Sequence, residues 1–164
     1  MTPQDLVDIE LIKQLKHRYM RCVDQKRWAE LRECFADDAT SAYSGGKYAH
    51  TGGDAICQWL AESMSADTFH SCHRVTQPEI RITGAGTAEG TWGLEDTVIE
   101  TQHEFTLHGA GFYADRYVKI GDAWKIQHIG YERTFEQVES RKGIPGLKLT
   151  ASAWATGGRS EIDA

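Results

Sequence analysis

After Met64 the apolar residues of this chain change period, from one every three or four positions to every second position. Helices therefore come first and long consecutive strands follow. That order restricts the chain to an α+β domain, with helices covering one face of a curved, mostly antiparallel sheet. In the first helix Thr2 is placed to cap, Pro3 suits the first position, and Asp5 lies at the positive end of the dipole. Leu6, Ile9, Ile12, Leu15, Tyr19 and Cys22 form its apolar face. A short second helix is predicted over RWAELRECFA, ended by Asp37 and Asp38. A hairpin follows over TSAYS, the Gly45-Gly46 turn and KYAHT. DAICQWLAESM is a third helix, with Ile56, Trp59 and Leu60 facing inward. The strands read FHSCHRV, EIRIT, TAEGTWGLEDTVIE, TLHGAGFYADRYVKI and AWKIQHIGYERTF. Periodicity fades beyond Phe135. This predicts a domain over 1–136 and a C-terminal arm over 137–164, with a short strand or arm around LKLTASAW.

Charge excludes one class of partner. Lys plus Arg number 18 against 24 Asp plus Glu, giving −6 over 164 residues, and no Lys/Arg cluster exceeds a local pair. No nucleic-acid partner is expected. No run of about 18 apolar residues is present, so no membrane span is expected either. The start, MTPQDLVDIE, has no apolar core of a secretion signal. The four cysteines, Cys22, Cys34, Cys57 and Cys72, form no CxxC pair. Reduced thiols in a cytoplasmic protein are the expectation. His70, Cys72 and His73 have no second ligand pair at finger-like spacing, and no metal site is expected.

Several polar residues interrupt the apolar patterns. Alternation puts Phe69, Ser71, His73 and Val75 on one strand face. His73 there is either a satisfied interior residue or a base that a carboxylate orients. Asp24, just past the apolar face of the first helix, is the candidate carboxylate. It is equally placed to be a solvated turn residue at the unfavourable end of the dipole. Tyr19 lies on the inward face, where a buried hydroxyl needs a partner. Asp96 falls in the apolar series Trp92, Leu94, Asp96, Val98, and a buried carboxylate needs a donor or a cation. Arg133, in the series Ile129, Tyr131, Arg133, Phe135, is such a cation. The two make either a structural ion pair or part of a site.

This order of elements resembles the nuclear-transport-factor-2-like superfamily, also called SnoaL-like. Its members form a cone, a bent sheet wrapped by three helices around a deep apolar pocket. The runs IKQLKHRYMRCVDQKRWAEL, SAYSGGK, HRVTQPEI, GTWGLEDTVI, GAGFYADRYVKIGDAWKI and GYERTFE further resemble the bile-acid 7α-dehydratases, up to about Glu136. That resemblance implies an essential tyrosine and aspartate at Tyr19 and Asp24, and an essential histidine at His73, not His70. It also implies a second pocket tyrosine at Tyr43, a strand aspartate at Asp96 and an arginine at Arg133. The Asp–His pair is similar to that of lindane dehydrochlorinase and scytalone dehydratase relatives. Two departures bear on substrate choice: one extra residue between Met64 and His73, and a shorter stretch around Thr101–His108.

The resemblance implies a lyase that removes water from a hydroxysteroid, such as a 7α-hydroxy-3-oxo-4-ene bile acid, with no metal or organic cofactor. The implied partners are a small apolar polycyclic or aromatic substrate and a second or third copy of the chain. Dimers or trimers in this family pack through the sheet, and Leu147–Trp154 is a candidate exchanged or packing element. A vinylogously acidic proton leaves to a base, charge develops on the ketone oxygen, and hydroxide must be protonated to depart. Histidine, which titrates near neutrality, suits both proton steps. Tyr19 is the donor to the ketone or to the leaving oxygen. Three other readings stay open: a lyase of the same fold acting on a lignin-derived aromatic diol, a steroid isomerase using Asp96, and a non-catalytic binding or assembly module. The last has no need of Tyr19, Asp24 and His73 together.

Overall fold

The computed structural model describes residues 1–162. Its elements are α1 (Pro3–Asp24), α2 (Trp28–Arg32), β1 (Phe35–Tyr43), β2 (Tyr48–Thr51), α3 (Gly53–Met64), β3 (Phe69–Gly84), β4 (Thr87–Glu100), β5 (Phe105–Ile120) and β6 (Ala123–Ser140). α1 starts with a capping box: Thr2 Oγ1 accepts from the Asp5 amide at 3.2 Å, and the Asp5 carboxylate accepts from the Thr2 amide at 2.6 Å. Its buried face runs through Ile12, Leu15, Tyr19, Met20, Cys22 and Val23, joined by Asp8 and Lys16. Leu6, expected on that face, is exposed, and the buried face begins at Asp8.

The six strands form one curved, unclosed sheet in the order β2-β1-β6-β5-β4-β3. Every neighbouring pair is antiparallel except β1 and β6, which run parallel. The core fills the space between the sheet's inner face and the helices, with Ile12, Leu31, Ile56, Trp92, Ile126 and Ile129 fully enclosed. Bulges bend the long strands. FHSCHRV and EIRIT, read as two strands, are one strand, β3. Its register slips between Thr76 and Glu79, where Gln77 takes φ 51° ahead of Pro78, which has no amide to give. A second slip pairs Ala110 with Phe135 but Gly111 with Arg133, leaving Thr134 over. The extra residue turns Phe135 outward while Arg133 stays inside. The predicted inward series therefore ends at Arg133.

Two other boundaries differ from the sequence reading. The second helix stops at Arg32, because the Cys34 carbonyl accepts from the Ile126 amide at 2.8 Å and Phe35 already pairs with β6. Asp37 and Asp38 lie within β1 and do not close a helix. After Ser140 there is no strand among the described residues. The chain folds back so that Ser152 is buried, with its Oγ 2.9 Å from His70 Nε2, and Trp154 rests 4.1 Å from the Lys26 ammonium. No helix is long and apolar enough to cross a membrane among the described residues.

Candidate active site

β3 is an edge strand, so every second residue has an amide with no strand to pair with. His73 is one of these. Its amide points off the sheet toward the end of α1, where Asp24 Oδ2 accepts it at 2.8 Å. The other oxygen, Asp24 Oδ1, accepts from Ser71 Oγ at 2.8 Å and lies 2.6 Å from His73 Nδ1. Ser71 and His73 reach one carboxylate because alternate side chains share a face. The bonds also offset the unfavourable place of a carboxylate at a helix C-terminus. An ionised carboxylate only accepts, so Nδ1 carries the ring proton. Nε2 is then left with a free lone pair.

His73 borders a cavity of about 40 Å³, with Tyr19, Met20, Val23, Tyr43, Trp59, Leu60, Met64, Tyr113 and Tyr131 as its other walls. Tyr19 and Tyr43 place their hydroxyls 3.0 Å apart. Burial pushes both phenols well above their ordinary pKa, so both stay protonated and can donate. Two hydroxyls that share one mutual bond keep one proton to spare for a ligand. Trp59 forms the outer aromatic wall, stacked at 5.3 Å on Tyr43 and at 5.1 Å on Tyr48.

Asp96 and Arg133 form the bidentate pair that the strand pattern allowed. Arg133 Nη1 donates to Asp96 Oδ1, and Nη2 donates to Oδ2 at 2.9 Å. The guanidinium also lies 3.3 Å from Glu136 and 4.9 Å from the Tyr131 ring. Room for the pair comes from Gly109, where a Cβ would sit 2.3 Å from Arg133 Nη1 and 2.8 Å from Asp96 Oδ1. Asp96 is the register partner of His73 across β3 and β4. Neither Asp96 nor Arg133 lines the cavity; they stand behind Tyr131 and beside His73. Three of the six singled-out residues, Tyr19, Tyr43 and His73, thus meet at the cavity, Asp24 holds His73 from behind, and the other two brace the cavity's edge. His70 turns away to Ser152, and Cys72 lies exposed on the outer sheet face. Among the described residues no three His, Cys, Asp or Glu side chains stand together as a metal site would need.

The sequence reading missed a second buried pair. Lys16 Nζ donates to Asp115 Oδ2 at 2.7 Å, with both side chains sealed from solvent. Desolvation lowers the lysine to about 8 and raises the aspartic acid. The Tyr117 hydroxyl donates to the same Oδ2 at 2.7 Å, and Trp92 Nε1 donates to the Tyr117 hydroxyl at 2.9 Å. The signal was present: Asp115 alternates with Tyr113 and Tyr117 as Asp96 does with Trp92 and Leu94. Lys16 follows Ile12 by one helical turn.

Larger hollows, of about 560 and 620 Å³, open on the outer side of the sheet, and Tyr19, Asp24 and His73 line neither. Tyr19, Tyr43 and His73 come together at the inner cavity.

The fold agrees with comparisons to known proteins. Residues 4–130 match the SnoaL-like domain family. Among solved structures, the chain is similar to a candidate scytalone dehydratase from Novosphingobium aromaticivorans, with TM-score 0.75, 21% identity, and 90% of this chain and 100% of that one covered. It is similar to the type-3 hexachlorocyclohexane dehydrochlorinase of Novosphingobium barchaimii, with TM-score 0.76, 15% identity, and coverage of 88% and 97%. A candidate aromatic ring hydroxylase from Novosphingobium aromaticivorans aligns with TM-score 0.73, 18% identity, and coverage of 85% and 96%. At these identities the likeness is one of fold.

Proposed function

The chain belongs to the SnoaL-like family, and on that premise we propose that it is a cofactor-independent lyase whose base is His73. The observation that carries the proposal is the dyad: Asp24 2.6 Å from His73 Nδ1, with Nε2 left free at a cavity walled by protonated phenols. Two of the similar structures are named as a dehydratase and a dehydrochlorinase, both eliminating enzymes.

The substrate we propose is a hydroxysteroid of the 7α-hydroxy-3-oxo-4-ene type. His73 Nε2 takes the C6 proton, whose electrons pass into a dienolate with its charge on the ketone oxygen. The spare proton of the Tyr19–Tyr43 pair is offered to a substrate oxygen. The C7–O bond then breaks, the imidazolium returns its proton to the departing hydroxyl, and water and a dienone leave. Asp24 holds the ring in one tautomer and stabilises the imidazolium between the two steps. Asp96 and Arg133 hold the pocket edge.

The cavity has room for about three water molecules at roughly 10–15 Å³ each. A steroid therefore requires Trp59 and the α3 end to swing outward. A smaller aromatic diol requires less movement, and the aromatic walls Tyr43, Trp59, Tyr113 and Tyr131 favour it as the second reading. The test is spectroscopic. Purified protein is mixed with the 7α-hydroxy-3-oxo-4-ene steroid and, separately, with aromatic diols. Extension of the enone to a dienone moves the absorption to longer wavelength. A red shift that His73→Ala abolishes, with circular dichroism unchanged, is the expected result. An active His73→Ala refutes the dyad, and turnover of the diol alone replaces the substrate.

A further inference from the structure

Four tyrosines line the cavity, and they differ in how their hydroxyls are satisfied. Tyr19 and Tyr43 bond each other. Tyr131 is partly open to solvent. Tyr113 is only 3% exposed and lines the cavity, and its hydroxyl, unlike Asp115 Oδ1, is not a sealed atom without a partner. A phenol that borders a cavity offers its hydroxyl to what occupies the cavity.

The other side of the Tyr113 ring is equally unusual. The Lys16 ammonium lies 3.4 Å from the ring centroid, inside the range of a strong cation–π contact, and 5.3 Å from that of Tyr19. Lys16 cannot drift, because Asp115 Oδ2 holds it at 2.7 Å, and the same oxygen is fixed by Tyr117 and, through it, by Trp92. Asp115 Oδ1 has no partner, so the carboxylate is not the fully satisfied half of an ordinary structural pair. A cation under a phenol ring withdraws electron density and makes its O–H a better donor to an oxygen that is gaining charge.

We propose that the Tyr113 hydroxyl is a further substrate-binding donor, aimed at the oxygen on which enolate charge develops, and that Lys16, held beneath its ring by Asp115, is the positioning residue that fixes and polarises it. This rests on the lyase reading and deepens it. The Tyr19–Tyr43 pair is then free to serve the leaving oxygen. The groups around Lys16 are Tyr19 from α1 and Asp115 and Tyr113 from β5; Tyr117 from β5 and His128 from β6 act on Asp115. Burial holds Tyr113 protonated, and Lys16 loses its charge near pH 8. The donor should therefore weaken as pH rises through about 8.

The experiment uses an unreactive 3-oxo-4-ene steroid that lacks the 7-hydroxyl. It is titrated into the whole protein, Tyr113→Phe, Lys16→Met and the charge-neutral Lys16→Met/Asp115→Asn, each checked by circular dichroism. Two readouts are taken: Kd by tryptophan quenching, and the position of the bound enone absorption, which moves red when its oxygen accepts a hydrogen bond. The expected result is a red-shifted band in the wild type. Tyr113→Phe should lose most of that shift and bind about tenfold more weakly, a change of about 1.4 kcal/mol. The Lys16 variants should show a smaller shift that no longer depends on pH between 7 and 9. An equal shift and Kd in wild type and Tyr113→Phe overturns the assignment and leaves the lyase reading standing. If the wild type ignores the enone but binds an aromatic diol, the steroid reading fails. Tyr113 is then judged by whether Tyr113→Phe loses affinity for that diol. A wild type that binds neither overturns both.

Discussion

Asp24→Asn tests the dyad most directly, because the replacement keeps the shape and removes only the charge and one acceptor. The carboxylate takes three donors: Ser71 Oγ and His73 Nδ1 on one oxygen, and the His73 amide on the other. An asparagine has one acceptor oxygen and one NH2 group. If the oxygen faces the ring, the NH2 meets the His73 amide donor to donor. If the oxygen faces the amide, the NH2 points at Nδ1, which must then give up its proton, and the ring carries hydrogen on Nε2. The base is lost in that arrangement, since Nε2 offers a proton to the cavity and no lone pair. The equivalent substitution in the serine-protease triad lowers kcat by about 10⁴ through the same tautomer change, and a loss of about 10³–10⁴ is expected here. Hydrogen bonds to a charged group are worth about 1.5–3 kcal/mol each. One of the three is lost, so the stability loss should be about 1–3 kcal/mol, or roughly 3–10 °C in Tm for a domain of this size. Steady-state turnover of the responsive substrate, with kcat and KM separated, is the assay, run beside thermal unfolding. The loss should fall on kcat with KM nearly unchanged, since the orienting residue acts after binding. A kcat within threefold of wild type, or a loss confined to KM, would refute the reasoning.

The remaining predictions concern the frame of the site. Gly109→Ala places a Cβ 2.3 Å from Arg133 Nη1 and should break the bidentate pair, lowering the urea midpoint by the equivalent of about 1–3 kcal/mol. Gly111→Ala meets the Glu132 carbonyl oxygen at 2.1 Å, which is backbone and cannot turn aside, so its midpoint should fall further than that of Gly109→Ala. Lys16 has a folded pKa of about 8, below its ordinary 10.5, so between these values the unfolded chain binds more protons. The wild type should therefore gain stability relative to Lys16→Met/Asp115→Asn as pH rises from about 8 toward 9.5, read as urea midpoints across that range.

The Thr2 cap, the hairpin, the long strands and the facing of His73 were all legible, because each depends on local chemistry or on a period of two or 3.6. What the period cannot carry is a slip in register. The extra residue Thr134 sends Phe135 outward one step after Arg133, and nothing in the local alternation marks it. The end of α2 was misread for a related reason: its helical pattern loses to pairing with β6, a strand about ninety positions away. Asp24 was undecidable from spacing alone. A carboxylate at a helix C-terminus is solvated unless something brings donors to it, and the donors here come from the edge of the sheet. Lys16 and Asp115 were overlooked although both lie in register with apolar neighbours. Lysine at such a place reads as a snorkelling surface residue. Only the meeting of α1 with β5 shows that its amine has nowhere to go but the aspartate.

The edge position of β3 explains why the candidate base and the stability of the sheet are bound together. An unpaired strand edge must be covered, and here the end of α1 covers it with one carboxylate that takes the His73 amide and orients the His73 ring. On the proposed function, the cavity on the inner side admits a ligand much larger than its present volume of about 40 Å³. If the β3 edge and α1 moved to admit it, the dyad would come apart as substrate arrived. The movable wall is therefore the opposite one. There Trp59 and Met64 on α3 are only partly buried, and α3 touches the sheet mainly through β1 and β2. Trp59 is held by stacking on Tyr43 and Tyr48, contacts that can slide without exposing an unpartnered polar group. The His73 side of the cavity is pinned by hydrogen bonds, and the Trp59 side is held by aromatic faces.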